Sequence, residues 1–299
     1  MPASASHTDV PPSLDPVALA RWQARPLAAS PWLHEEVGRR MQERLAWIVK
    51  QPASWCDWEP VRGGVQAHAL VAAHYPKARQ FIVHGQPANQ RLAQSLWQPS
   101  VVSRWLRSVP AVSFATPAQQ SVQMLWANMH LHQAISPPQT IQAWAGLLEP
   151  QGFLMFSCLG PDTAIELRQI YARRGWPPPA QEYTDMHDLG DMLVQQGFAE
   201  PVMDMEHIRL QFPDAVRLLA ELRELGRNFH PGRFGGLRGR QWQRTLMEDI
   251  AGLADASGAI TLTFEVIYGH AIKAPPRMAM AEQTRISLDD MRATLQKRP

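Results

Sequence analysis

At 299 residues the chain can bury one large core, and 45% hydrophobic with 19% charged residues is the balance of a globular protein. Its 29 basic and 27 acidic residues leave a net charge of +2, which excludes the broad basic footprint of a nucleic-acid-binding domain. Two cysteines, Cys56 and Cys158, each inside an apolar strand-like run, exclude a disulfide framework and a zinc centre. No apolar run approaches the length of a membrane span and no basic-then-hydrophobic leader opens the sequence, so a cytoplasmic protein is expected.

Residues 1–30 are rich in Pro, Ala and Ser, which predicts a mobile tail with one short helical stretch around Pro16–Arg25. Leu33, Val37, Met41, Leu45 and Ile48 then recur at helical spacing and predict a helix over 31–50. From Ser54 onward strand and helix signals alternate, as in a mostly parallel sheet flanked by helices. Strands are expected at Trp55–Trp58, Gln80–His84, Ser100–Ser103, Val122–Asn128 and Phe153–Leu159. Helices are expected at Val65–His74, Ala88–Trp97, Pro138–Leu148 and Thr163–Arg174, whereas Arg104–Gln120 has only weak periodicity. Phe153–Leu159 lies between the turn Pro150-Gln151-Gly152 and Gly160-Pro161, which suits a strand buried on both faces. Thr163 and Glu166 have capping-box spacing, so the following helix should start there.

After the break Trp176-Pro177-Pro178-Pro179, an amphipathic helix runs to Gly197. Val202–Leu210 and Thr261–Ile272 read as strands, with helices near Ala215–Leu225 and Gln241–Leu253 joined by a loop rich in Gly and Arg. The expected domain is therefore 31–274, with 213–258 as an insertion of helices and 275–299 as a polar tail.

Gly152, Phe156-Ser157, Gly160-Pro161-Asp162-Thr163, Glu166-Leu167-Arg168, Asp185, His187-Asp188, Gly190-Asp191, Gly197-Phe198 and Asp204 form a long ungapped pattern. It resembles the class I methyltransferases of the malonyl-acyl-carrier-protein O-methyltransferase type, from biotin synthesis. The resemblance implies an α/β, Rossmann-like three-layer sandwich with a mostly parallel seven-stranded sheet and an antiparallel edge. It also implies S-adenosylmethionine as cofactor, methyl transfer to a carboxylate, and an acyl-carrier protein as partner. Glu36-Val37, Arg40-Met41 and Arg44-Leu45 match the family helix that covers the cofactor.

The family's first turn reads acid-x-Gly-x-Gly-x-Gly, and here Asp57 and Gly63 match, followed by Gly64, while Glu59 and Val61 replace two glycines. Glu59 is expected to bring bulk and negative charge near the carboxylate of the cofactor, and Val61 to make a positive φ costly. At the end of the second strand His84 stands where the family has the acid that binds both ribose hydroxyls. His84 either contacts one hydroxyl or merely ends the strand. Asn128 matches the family residue beside the cofactor, so the expected cofactor set is Asp57, Gly63, Gly64, His84 and Asn128.

His130 and His132 share a face if their segment is extended, but no third ligand has convincing spacing, and no metal is assigned. They are expected to line the pocket mouth or cap the next turn. The resemblance places His132, Asp162 and His187 on the substrate side. Arg233 and Arg238 in the Gly/Arg loop suit a carboxylate or an acidic carrier protein, with a solvated surface loop as the competing reading. Two functions follow: an O-methyltransferase, or a catalytically degenerate relative that serves as a binding or assembly protein.

Overall fold

The computed structural model describes residues 14–25, 27, 29–98 and 110–275. Strands β1 (Ser54–Trp58), β2 (Arg79–Val83), β3 (Val112–Ser113), β4 (Val122–Ala127), β5 (Leu148–Leu159), β6 (Phe198–Phe212) and β7 (Ile260–Lys273) form one sheet. Its order is β3-β2-β1-β4-β5-β7-β6. The first five strands are parallel, and β7 runs antiparallel to both its neighbours. This is the expected three-layer α/β arrangement with an antiparallel edge.

The two faces of the sheet follow from the period-two alternation of strand side chains. Phe153 and Met155 of β5 join a core with Trp55, Trp126 and the helix-borne Leu33, Val37 and Met41. Leu154, Phe156 and Cys158 point the other way, into a second core with Ile141, Trp144, Leu189 and Leu193. Every residue from Gly152 to Leu159 is buried, as an apolar run with helices on both sides requires. Gly269 on β7 permits this packing, because a Cβ there would lie 2.0 Å from the Phe156 ring.

The helices at Val65–His74 and Ala215–Leu225 have the expected bounds, and those at Pro87–Trp97, Pro137–Leu147 and Arg240–Ala251 begin one residue earlier than expected. The helix expected over 31–50 is α-helical for Trp32–Glu43 and tightens to a 3₁₀ turn at Arg44–Trp47, which keeps Leu45 in the core. The expected strand Ser100–Ser103 lies outside the described residues. The structure places β3 at Val112–Ser113, a two-residue strand too short to carry an alternating pattern. The turn expected at Pro150-Gln151-Gly152 is a bulge inside β5, with Gln151 at φ 64°.

The capping box at Thr163 does not form. Ala164, at φ 54°, precedes the helix Ile165–Arg173 instead, and Thr163 Oγ1 donates to the Glu265 carbonyl. The Glu166 carboxylate accepts from the amide and hydroxyl of Thr263, so both side chains tie the helix start to β7. Within the Pro/Ala/Ser-rich first 30 residues, Pro16–Gln23 is a helix capped by Asp15. Its Leu19 and Trp22 pack with Leu14 and Phe229 in a small separate core. Among the described residues no helix is long and apolar enough to cross a membrane.

Candidate functional site

β1 lies between β2 and β4, so the chain order reverses at the carboxyl ends of β1 and β4, where open α/β sheets bind ligands. A cavity of about 230 Å³ lies there, bordered by Trp58, Glu59, Arg62, Gly63, Gly85, Asn128, Met129 and His130. The helix Trp32–Glu43 adds His34, and the segment before it adds Trp22, Gln23, Leu27 and Pro31 as a roof.

Two carboxylates leave β1 in this region, with different surroundings. Asp57 is buried, and its Oδ2 lies 2.8 Å from Nδ1 of the equally buried His68, whose ring is stacked near Trp55 and Trp97. Burial pushes the Asp57 carboxyl above its ordinary range, against the pull of its hydrogen bond with His68. Glu59, two residues on, borders the cavity and adopts φ 60°, a left-handed conformation that a non-glycine residue takes at a cost of about 1–2 kcal/mol. Its amide donates to the Val83 carbonyl at 2.8 Å. Its carboxylate faces the end of β2, with Oε2 2.9 Å from His84 Nδ1 and Oε1 accepting from the Gly85 amide at 2.5 Å. Burial raises this carboxyl, but the His84 hydrogen bond leads the pulls that hold it below the ordinary range.

This corrects the expectation about the first turn. The positive φ falls on Glu59, while Val61 sits in the short helix Pro60–Gly63 and packs in a core with Ile82 and Ala93. The two glycine replacements are therefore a rim carboxylate and a core methyl group. His84 ends β2 as expected, but its ring is fully enclosed behind Glu59 and its Nε2 has no partner among the described residues.

Gly63 is where a side chain has no room, since a Cβ would lie 2.8 Å from the Asn128 carbonyl oxygen. Asn128 is the staple of the site: its amide donates to the carbonyls of His34, at 2.7 Å, and Gly63, and its Oδ1 accepts from Ser157 at 2.6 Å. Gly64, at φ 144°, opens the helix Val65–His74. That helix start is capped from outside, by Ser30 Oγ on the Val65 amide and by the Glu35 carboxylate on the amides of Gln66 and Ala67.

Of the residues expected around the cofactor, Gly63 and Asn128 border the cavity, Asp57 is buried outside its lining, Gly64 follows Gly63 and His84 is hydrogen-bonded to Glu59. The residues expected on the substrate side are not gathered at the cavity. His132 follows His130 around a 3₁₀ turn rather than along a strand, so the two do not share a face. His130 accepts from Trp58 Nε1 at 3.2 Å, while His132 lies near His34 and Tyr183. Burial drives His34 down to about 4 and lowers His130 and His132 as well, so these imidazoles are neutral at pH 7. Asp162 is exposed beside His207, and His187 is exposed beside Asp185 at the start of the helix Met186–Gln195. Arg233 is paired with Asp15 at 2.6 Å, and Arg238 lies over the rings of Phe234 and Trp242.

Sequence reasoning missed Trp22, His34, Glu35, Glu59 as a rim acid and Arg62. One signal was present: an acid where a glycine is expected and a histidine where an acid is expected are complementary replacements.

Comparison with known proteins adds the lineage. The chain is 38% identical over 261 residues to a malonyl-acyl-carrier-protein O-methyltransferase of Gallionella capsiferriformans, covering 84% of this chain and 87% of that protein. It is 34% identical over 275 residues to the same-named protein of Laribacter hongkongensis, covering 89% of each. Among solved structures, the YcgJ protein of Bacillus subtilis superposes with a TM-score of 0.52 at 10% identity, covering 81% of this chain and 99% of that one. A Bacillus halodurans protein described as a candidate methyltransferase gives a TM-score of 0.51 at 11% identity, covering 80% and 100%. No family model matches the chain.

Proposed function

Because the chain belongs to the malonyl-acyl-carrier-protein O-methyltransferase family, we propose that it methylates the free carboxylate of a malonyl thioester carried by acyl-carrier protein, with S-adenosylmethionine as the methyl donor. One observation carries this reading: a carboxylate stands at the carboxyl end of β2, beside a cavity at the strand-order reversal, although β2 itself is followed by His84 and not by an acid. Glu59 supplies it from the turn after β1, and His84 and the Gly85 amide hold it there.

The residues present fit the cofactor. A carboxylate has about four acceptor positions, and His84 and Gly85 use two, which leaves capacity for both ribose hydroxyls. Gly63 keeps the turn free of a side chain where it meets Asn128. Bound S-adenosylmethionine supplies an electrophilic methyl group on a sulfonium. The accepting carboxylate is ionised at neutral pH and needs no general base, so the chain contributes alignment and exclusion of water. Trp22, Leu27, Trp58, Met129 and Leu225 form apolar walls suited to that exclusion.

The alternative, a degenerate binding protein, draws its support from Glu59 and Val61 filling glycine positions. With Val61 in the core and Glu59 turned to β2, that support falls away. The test is a mass-spectrometric assay with purified chain, S-adenosylmethionine and malonyl-acyl-carrier protein. The carrier-bound malonyl group is expected to gain one methyl, as an ester. An unmodified malonyl group, with folded protein and authentic substrate, overturns the reading.

A further inference from the structure

Two buried N–H donors beside the cavity have no partner among the described residues: Nε of Arg62 and Nε1 of Trp22. They belong to neighbouring side chains, the Arg62 Cζ lying 5.3 Å from the centroid of the Trp22 ring. Trp22 is only 7% exposed, so solvent does not serve its indole N–H. One arm of Arg62 is committed: its Nη2 donates to the carbonyls of Trp22, Gln23 and Arg25 at 3.2, 2.9 and 3.0 Å. These bonds pull the carboxyl end of the helix Pro16–Gln23 onto the turn after β1, as a cation at a helix carboxyl terminus does. The guanidinium is part-buried and its hydrogen-bond partners are carbonyls, so its positive charge is offset only by the field of Glu59. The carboxylate of Glu59, which borders the cavity, is engaged by His84 and Gly85.

We infer that Arg62 and Trp22 form an anion-binding corner of the cavity, which takes the amino-acid carboxylate of the S-adenosylmethionine class of ligand and so makes the N-terminal helix part of the binding site. This rests on the reading of the cavity as an adenosyl-cofactor site and adds to it the side chains that recognise the amino-acid end.

The test compares two ligands on the full chain by calorimetry: S-adenosylhomocysteine, which has the carboxylate, and 5′-methylthioadenosine, which lacks the amino-acid end. Arg62→Gln should weaken S-adenosylhomocysteine by about 10- to 100-fold and leave 5′-methylthioadenosine within about twofold. Trp22→Phe keeps an aromatic side chain and removes the indole N–H. It should weaken S-adenosylhomocysteine by about 3- to 10-fold, again without touching the shorter ligand. Hydrogen exchange should slow in residues 17–25 on adding S-adenosylhomocysteine to the wild type, a readout independent of catalysis. If Arg62→Gln disturbs folding, Trp22→Phe and the exchange data decide. Equal losses for both ligands, or none for either, overturn the anion corner while leaving the adenosyl site standing. Wild-type protein that binds neither ligand overturns the adenosyl reading and the corner with it.

Discussion

Asp57–His68 and Glu59–His84 are two carboxylate–histidine pairs whose acids are two residues apart, yet they do different things. The first is sealed: both partners are buried, aromatic rings enclose the imidazole, and burial raises the acid's pKa. The second is at a rim: the histidine is enclosed but the acid borders a cavity, and its pKa is lowered despite burial. The sealed pair holds β1 to the helix Val65–His74, whereas the rim pair presents an acceptor. The same two functional groups become scaffold or site according to whether one partner keeps lone pairs facing a space that a ligand can enter.

The largest test of this contrast removes each acid. Asp57→Ala leaves His68 buried without its partner and should lower unfolding free energy by about 3–5 kcal/mol in a denaturant titration. Glu59→Ala also removes the hydrogen bonds to His84 and Gly85 but should cost less, because the carboxylate borders a cavity that lets water replace it. Equal losses would erase the distinction between scaffold and rim.

Acid is the next test. His34 is held near 4, below its unfolded value, so the unfolded chain binds its proton first as pH falls. Stability from this group is complete above about pH 6.5 and should decline by on the order of 3 kcal/mol towards pH 4, a decline that His34→Gln flattens. The two acids then act with opposite signs. The raised pKa of Asp57 means that its contribution falls as pH rises from the ordinary Asp range through the folded value. The lowered pKa of Glu59 means that its contribution falls as pH drops from the ordinary Glu range through the folded value. Subtracting the pH–stability curves of Asp57→Asn and Glu59→Gln from that of the wild type should therefore give slopes of opposite sign. Parallel slopes would contradict the assignment.

Binding should reverse the order of the two sites. Glu59→Gln is expected to weaken S-adenosylhomocysteine by about 1.5–3 kcal/mol in calorimetry, while the fold remains intact. The smallest effect belongs to a pair with neither burial nor a cavity. Arg174 and Asp249 meet at 2.6 Å on an exposed surface, and Arg174→Ala should change stability by less than ~1 kcal/mol in the same denaturant assay.

Much of the scaffold was legible because its signals are local. The apolar run at Phe153–Leu159 and the helical spacing of Leu33, Val37 and Met41, four residues apart, each specify an element from neighbouring residues alone. The site was less legible because its contacts are distant in the chain. Glu59 meets His84 across 25 positions, and Asn128 meets His34 across 94, and no periodicity records such a pairing. The capping box at Thr163 and Glu166 failed for the same reason, since β7 competed for both side chains. Trp22 was hidden by composition: a Pro- and Ala-rich segment reads as a tail until Phe229, two hundred positions on, gives its helix a surface to pack against.

The strand order also governs how the chain can be made. Among the described residues β6 pairs only with β7, which stands between it and β5. A ribosome therefore releases β6 while its sole partner is unwritten, and translating residues 213–259 takes about 2–10 s at ordinary rates. During that interval β6 is an unpaired edge of 15 residues, a hazard for association with other nascent chains. The helices Ala215–Leu225 and Arg240–Ala251 are encoded within that gap, and both can form early because helix contacts are local. A stop codon between residues 213 and 259 would thus delete β7 and leave β6 without a partner.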